Sequence, residues 1–418
     1  MADRSVPAIF EAAFEHSGVR IRVDVLERLP RGWWGLREVK SSGEVKNQHY
    51  DDVAVQLHVL RKADIRIASA QVLHVNKNYV RGPNGMLWPK FFSRVDVKRE
   101  SKRRLASIEA RIKEQLRYLS RAHEPKIEPD THCHSPYSCK YWERCTASKP
   151  ADWVFYMPHL SALRRAELKS LGVEAIAAIP DDFSLSPRQI VIRDVTRSGK
   201  PHVGPDLAKR LRDFGPPAFY LDFEAVLPAI PLYAGTRPYE VIPFQWSLHH
   251  VDSDGAVSHS EFLGNANADP RRSFAESLLD SLRGTKLPVV VYSSYERTRL
   301  AELATIFPDL AKSIRRVIRQ LTDLLPIVRG CVYHPEFDFS NSIKAAAPAL
   351  CPDVTYDDLE EISDGGAAST AFWRMASGRA DPVTSAQLQR SLLAYCQRDT
   401  WAMVRLHQAL KAISSSQG

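Results

Sequence analysis

The chain has 418 residues, 44% hydrophobic and 25% charged, which is ordinary globular composition and too long for one comfortable core, so two or three domains are expected. Lys and Arg number 57 against 49 Asp and Glu, and the net charge of +8 suits a polyanionic partner. No apolar run reaches membrane-spanning length, and MADRSVPAIFEAAFEHSG lacks the unbroken apolar stretch of a signal peptide. A cytoplasmic protein is therefore expected, one whose six cysteines form no disulfide framework.

Residues 7–16 and 19–26 are predicted to form a hairpin around His16-Ser17-Gly18. Val19 to Val25 alternates strictly, so Arg20, Arg22 and Asp24 share a wet face opposite Ile21, Val23 and Val25. After a turn rich in Pro, Gly and Trp, the segment Leu36–Lys40 puts Glu38 and Lys40 on one face. If these strands pair, Asp24, Glu38 and Lys40 converge, and a helix over 48–62 brings Gln56. Two acids at one point can hold Mg²⁺ or Mn²⁺ through oxygen, and such an ion polarises a phosphate and acidifies an attacking water. Lys40 would orient that water and Gln56 would position substrate, although exposed acids on a hairpin are more often a solvated face. A strand at 68–75 and a long charged helix over 94–122 follow. Lys98, Arg99, Lys102, Arg103, Arg104, Arg111, Lys113, Arg117 and Arg121 on that helix read equally as a solvated surface and as a phosphate-tracking face. Trp33 and Trp34, beside the first acids, are candidates to stack on single-stranded bases.

Three cysteines, Cys133, Cys139 and Cys145, crowd into one short segment with His132 and His134, which favours a metal or cluster site. Their spacing is not that of a zinc finger. Helical patterns around Leu160–Leu171 and Val173–Ile179 meet at Gly172, as either a phosphate-binding helical hairpin or a plain spacer.

From Asp194 to Pro217 the chain is punctuated by Pro and Gly, and a strand over Ala218–Ala225 follows. There Phe219, Leu221 and Phe223 face a core, and Asp222 and Glu224 share the other face. Phe244–Val251 and Val257–Leu263 form a hairpin, with Gln245, Ser247 and His249 on its wet face. Leu287–Tyr292 reads as a buried strand, and Glu296 opens the helix after it; Asp323 is its competitor as an acidic ligand. On a closing helix over 387–412, Tyr395 and Asp399 stand four apart and therefore on one face. Asp222, Glu224 and Asp399 could hold an ion, with the Tyr395 hydroxyl orienting a water. Lys344 and His334, between these motifs, could touch phosphate but read more readily as structural or surface residues.

The order Asp24, Glu38-x-Lys40, then Gln56 on a helix resembles the PD-(D/E)xK nuclease core in its RecB-like form, except that Leu60 stands where that family has a Tyr. The cysteine segment resembles that of iron–sulfur RecB-like nucleases, including CRISPR-associated ones, and implies a 4Fe–4S cluster on Cys133, Cys139 and Cys145. Their fourth, upstream Cys has no counterpart before Cys133. His132 or His134 as fourth ligand, a start placed too late, and a degenerate site all remain open. Leu-Asp-Phe-Glu at 221–224 with Tyr395-x3-Asp399 resembles the Tyr-bearing DEDD exonucleases of RNase H-like fold, where Glu296 takes the place of an Asp.

The whole resembles a bacterial family that joins these parts, its C-terminal portion catalogued as a domain of unknown function. The expected class is α/β: a RecB-like restriction-endonuclease core with the cysteine segment over 1–148, a helical linker over 149–215, and an RNase H-like domain over 216–418. The resemblance implies a metal-dependent nuclease acting on DNA ahead of RNA, on single strands or ends, with the N-terminal site the favoured centre. Its rivals are a nucleic-acid-binding protein with decayed sites and an RNA exonuclease using only the C-terminal domain.

Overall fold

The structure is a computed structural model describing residues 5–359 and 361–416. It is α/β and divides into two units: residues up to 127 together with 227–240, and residues 128–226 together with 241 onward.

The first unit contains β1 (Ala8–His16), β2 (Val19–Arg28), β3 (Trp34–Lys40), α1 (Asn47–Lys62), β4 (Ile67–Val75), α2 (Trp88–Phe91), β5 (Phe92–Asp96), α3 (Lys98–Arg103) and α4 (Leu105–Leu119). Its sheet runs β1-β2-β3-β4-β5, with only β3 and β4 parallel. A parallel pair needs a crossover, and α1 supplies it, packing Val53, Leu57 and Leu60 with Val23, Leu26, Leu36 and Val72. The strict alternation expected of β2 breaks at Asp24. Ile21 and Val23 are buried before it and Leu26 after it. The ladder with β1 skips the Glu11/Asp24 pair, and Glu11 has a positive φ of 53°. Asp24 therefore sits where the inward face of β2 changes parity.

The long helix expected over 94–122 is instead the end of β5 followed by α3 and α4, which meet at Arg104.

The second unit contains α5 (Trp142–Thr146), α6 (Ala162–Ser170), α7 (Pro187–Ser198), β6 (His202–Val203), α8 (Leu207–Leu211), β7 (Ala218–Val226), β8 (Ile242–Val251), β9 (Val257–Leu263), α9 (Arg271–Ser281), β10 (Val289–Val291), α10 (Tyr295–Ile306), α11 (Ala311–Gln320), β11 (Leu321–Asp323), α12 (Leu325–Cys331), β12 (Val332–Tyr333), α13 (Ile343–Leu350), α14 (Gly365–Ala376) and α15 (Pro382–Ser415). Its main sheet runs β11-β10-β7-β8-β9, parallel across β11, β10 and β7 and antiparallel beyond. Helices cover both faces. Leu221, Phe223 and Trp246 pack with Phe274, Leu300 and Val317 on one side. Tyr220, Val251 and Val290 pack with Leu324, Ala347 and Val404 on the other.

The strand face read as wet is therefore buried. Gln245 donates to the Leu392 carbonyl at 2.7 Å, and Ser247 and His249 bond the Thr400 hydroxyl at 2.7 and 2.8 Å, each bond joining β8 to α15 above it. These three residues hold the closing helix and do not line a cleft.

The spacer packs into the same core, through Trp153, Leu168, Ile176 and Ile192. The helix expected over Val173–Ile179 does not form. Backbone bonds Val154 N to Glu174 O (2.9 Å) and Ile176 N to Asp152 O (2.7 Å) pull this stretch out straight against residues 152–154. Only a short 3-10 turn remains, at Ile176–Ala178. Among the described residues, no helix is long and apolar enough to cross a membrane.

Candidate metal centre

In the second unit, β7 presents Asp222 and Glu224 on one face, and α15 lays Asp399 across them. One carboxylate oxygen from each of the three lies within 4.8 Å of the others. Asp222 keeps some solvent access, while Glu224 and Asp399 are buried. The helix reaches this position because its start is fixed: Asp381 caps it by accepting from Val383 N and Thr384 N, and Pro382 occupies its first turn.

Three carboxylates packed this closely cannot all carry charge without cost. Burial and then the charges of Asp399, Glu224 and Glu296 push Asp222 well above the usual carboxylate range. Burial with Asp399 pushes Glu224 up to about 8. Asp399 is raised by burial, against the pull of the Tyr356 hydroxyl and the Lys344 charge. Glu296, at the start of α10, is 3% exposed and pushed up to about 7 by burial; Ser293 Oγ donates to it at 3.3 Å. Its carboxylate is not one of the three clustered oxygens, but its charge reaches both Asp222 and Glu224. Asp323, the competitor, is half-buried and accepts from Leu325 N at 3.0 Å.

Tyr395 is buried and lies one turn before Asp399. Its hydroxyl accepts a bond from Lys344 Nζ at 2.9 Å. Lys344 also donates to the Ser363 carbonyl. Two further residues thus belong to the site: Lys344, which the sequence reads as structural or surface ahead of phosphate-binding, and Tyr356, which it does not single out and whose hydroxyl donates to Asp399 Oδ1 at 2.7 Å. Neither lies on a motif strand or helix, so no periodicity marks them. Beneath the acids, the Cys396 thiol lies 3.6 Å from Asp222 Oδ2. The donor set is three hard oxygens with mutual repulsion, flanked by Lys344 and Arg398, which fits Mg²⁺ or Mn²⁺.

The N-terminal residues also assemble, in a different manner. Asp24 Oδ2 accepts from Val39 N at 2.7 Å. Glu38 is 6% exposed and is bonded by Lys40 Nζ at 2.8 Å and Gln56 Nε2 at 2.6 Å. Lys40 turns further, to Asp52 at 2.7 Å. Burial works against its charge, but Asp52 and Glu38 outweigh that and hold Lys40 above the usual lysine range. Gln56 Oε1 is buried and has no partner.

The aromatic and basic candidates divide. Trp33 is 40% exposed, whereas Trp34 is 5% exposed and lies under the Arg28 guanidinium at 4.4 Å, so it offers no face to a base. Neighbours along an extended chain point to opposite sides, and only one of the two can be outside. Arg103 is exposed. Arg104 is spent on structure: it bonds Asp51 and the Asn47 carbonyl at 3.0 Å and lies over the Tyr50 ring, pinning α3 and α4 to α1.

The cysteines Cys133, Cys139 and Cys145 are free. Cys139 N donates to the Cys133 carbonyl at 2.7 Å, and Trp142 N to the Cys139 carbonyl at 3.2 Å, so the segment folds on itself. His132 Nε2 lies 3.5 Å from Cys133 Sγ, while the His134 ring packs 4.3 Å from Trp142. Cys331, Cys351 and Cys396 are buried in the packed core or beside the carboxylates. This set does not match the four thiolates of a 4Fe–4S cluster.

A family described as a domain of unknown function (DUF2779) matches residues 219–342, a span that holds Asp222, Glu224 and Glu296 and stops before Lys344, Tyr395 and Asp399. No curated protein and no solved structure matches the chain.

Proposed function

We propose that the protein is a metal-dependent nuclease that hydrolyses phosphodiester bonds of nucleic acid, DNA ahead of RNA, with its principal centre at Asp222, Glu224 and Asp399. The observation that carries this reading is the convergence of three carboxylate oxygens within 4.8 Å at a strand–helix junction. The chain's resemblance to Tyr-bearing exonucleases of RNase H-like fold and its net charge of +8 agree with it.

Asp222, Glu224 and Asp399 would hold a divalent ion, which supplies Lewis-acid polarisation of the phosphate and acidifies water. The chain's own groups do the rest. Tyr395 has one proton and two lone pairs; after accepting from Lys344 it keeps a lone pair that can orient a water for attack. Lys344 places positive charge beside that water and beside the phosphate oxygens.

Sequence reasoning favours the N-terminal site, and a second reading keeps it. Glu38 held between Lys40 and Gln56, with the unpartnered Gln56 Oε1 beside them, supports a RecB-like centre there. The two readings separate in a cleavage assay with Mn²⁺ on end-labelled single- and double-stranded DNA and RNA. Asp222→Asn is expected to lower the rate at least about a hundredfold and Lys40→Ala less than about threefold. Loss of all cleavage with Lys40→Ala, and none with Asp222→Asn, would transfer the chemistry to the first unit.

A further inference from the structure

In the second unit, a cleft of about 720 Å³ opens at the carboxyl ends of the parallel strands β10 and β11. Ligands of open α/β sheets gather at such strand ends. Its lining includes Arg188, Arg329, Tyr292, Ser340, Asn341 and Ser342. The sequence motifs account for none of these.

The charge balance of this cleft is unusual. Arg188 is half-buried, and its guanidinium has only neutral partners: the Val332 carbonyl at 3.1 Å, Asn341 Oδ1 at 2.9 Å and the Tyr333 ring at 4.9 Å. Arg329 is exposed, and no carboxylate of the described residues lies within ion-pairing distance of either arginine. Asp323 feels the Arg329 charge, but its carboxylate is held by Leu325 N. Burial lowers the Arg188 pKa, the mark of a cation that has lost water without gaining an anion.

The wall between the two arginines is a fixed loop. Tyr292 donates to the Asn341 carbonyl at 2.9 Å, and Phe339 stacks on Tyr156. Ser340 and Ser342 line it with hydroxyls. Ser342 then stands at the N-terminal boundary of α13, and Lys344, in the first turn of that helix, bonds the Tyr395 hydroxyl. One continuous stretch of chain, 339–344, therefore runs from the arginine cleft to the carboxylate centre. On the β10 side, Tyr292 lies in the cleft and Glu296, four residues on, lies at the acids.

We propose that this cleft is a second phosphate site, which grips the backbone of the same single strand whose scissile phosphate lies at Asp222, Glu224 and Asp399. The proposal rests on the nuclease reading of that centre. Two guanidiniums without carboxylates match phosphodiester oxygens, and the loop's hydroxyls match sugar and phosphate. A strand lying along residues 339–344 would meet the arginines first and Lys344 at the point of cleavage. Contacts of this kind position the substrate and carry no sequence preference.

The test is fluorescence anisotropy with labelled single-stranded DNA and RNA oligonucleotides, using the full chain, with Ca²⁺ in place of Mn²⁺, over a range of salt. The double variant Arg188→Gln/Arg329→Gln is expected to bind about tenfold or more weakly, and its salt slope to fall by about 1.4, or about 0.7 for each phosphate of the single strand left without its arginine. Arg329→Gln alone, at an exposed side chain with no bond to the fold, should show about half the slope change even if the double variant folds poorly. Lys312→Gln/Arg319→Gln on α11 removes the same net charge elsewhere and should leave both quantities unchanged. Wild-type affinity and slope in the Arg329→Gln variant, or an equal loss in the α11 variant, would overturn the proposal. Asp222→Asn separates the two claims: it should keep binding and lose cleavage. If it cleaves normally while the arginine variants still lose binding, the nuclease centre is misassigned and the phosphate site stands.

Discussion

Asp399 gathers more of the chain around it than any motif suggests. Tyr356 donates to it at 2.7 Å, Tyr395 bonds it from one turn away, and Lys344 and Arg398 bring positive charge. The Tyr356 bond favours the ionised carboxylate, so Tyr356→Phe should raise the Asp399 pKa and make an ion compete with a proton there. The expected outcome is Mn²⁺ binding about tenfold weaker near neutral pH, recovered as pH rises, in a calorimetric titration. Unchanged affinity would show that Tyr356 is only packing. At this scale the sequence was legible where a residue sits on a regular element. Period two put Asp222 and Glu224 on one face, and the i, i+4 rule paired Tyr395 with Asp399. Tyr356 lies in an irregular stretch and Lys344 on a short helix, 43 and 51 residues from their partners. No local pattern ties either of them to that partner. Trp33 and Trp34 fail for the opposite reason: identical residues side by side cannot both be outside, and composition does not say which one is.

β8 and α15 show how an element can mislead. Polar residues at 245, 247 and 249 alternate with apolar ones, which reads as one wet face, yet β8 is buried on both sides. What covers it is α15, about 150 residues later in sequence. The pattern recorded hydrogen-bonding need, and a helix meets that need here in place of water. Thr400 is the hub, bonding Ser247 and His249 and its own helix carbonyls. Thr400→Val keeps the shape and removes the hydroxyl, leaving two buried polar groups short of a partner. It should lower stability by about 1–3 kcal/mol in denaturant unfolding, with the midpoint shifted and the slope unchanged. No measurable change would mean that Ser247 and His259, 2.9 Å apart, satisfy the network without it. The break of the 94–122 helix at Arg104 has a similar origin. No Gly or Pro interrupts residues 98–119, but Asp51 and Asn47 on α1 fix a guanidinium where the axis turns.

Across the whole molecule, two acidic sites stand in contrasting electrostatic states. At the first, Lys40 and Gln56 already satisfy Glu38, and a backbone N–H satisfies Asp24. At the second, three carboxylates face one another with Lys344 as the nearby lysine charge, which leaves negative charge for an ion to neutralise. The proton balance there has a definite sign. Raised acids stay protonated until pH passes their folded values, about 7 for Glu296 and about 8 for Glu224. A divalent ion must displace the proton of Glu224, and its charge opposes the one on nearby Glu296, so its affinity should climb as pH rises through that window. The most direct test is a calorimetric Mn²⁺ titration of metal-free protein at pH about 6.5 and about 8.5, for wild type and Asp222→Asn. Tighter binding at the higher pH, proton release to the buffer, and loss of this binding in Asp222→Asn are the predicted results. Equal affinity at both pH values, or undiminished binding in Asp222→Asn, would contradict the assignment of this centre.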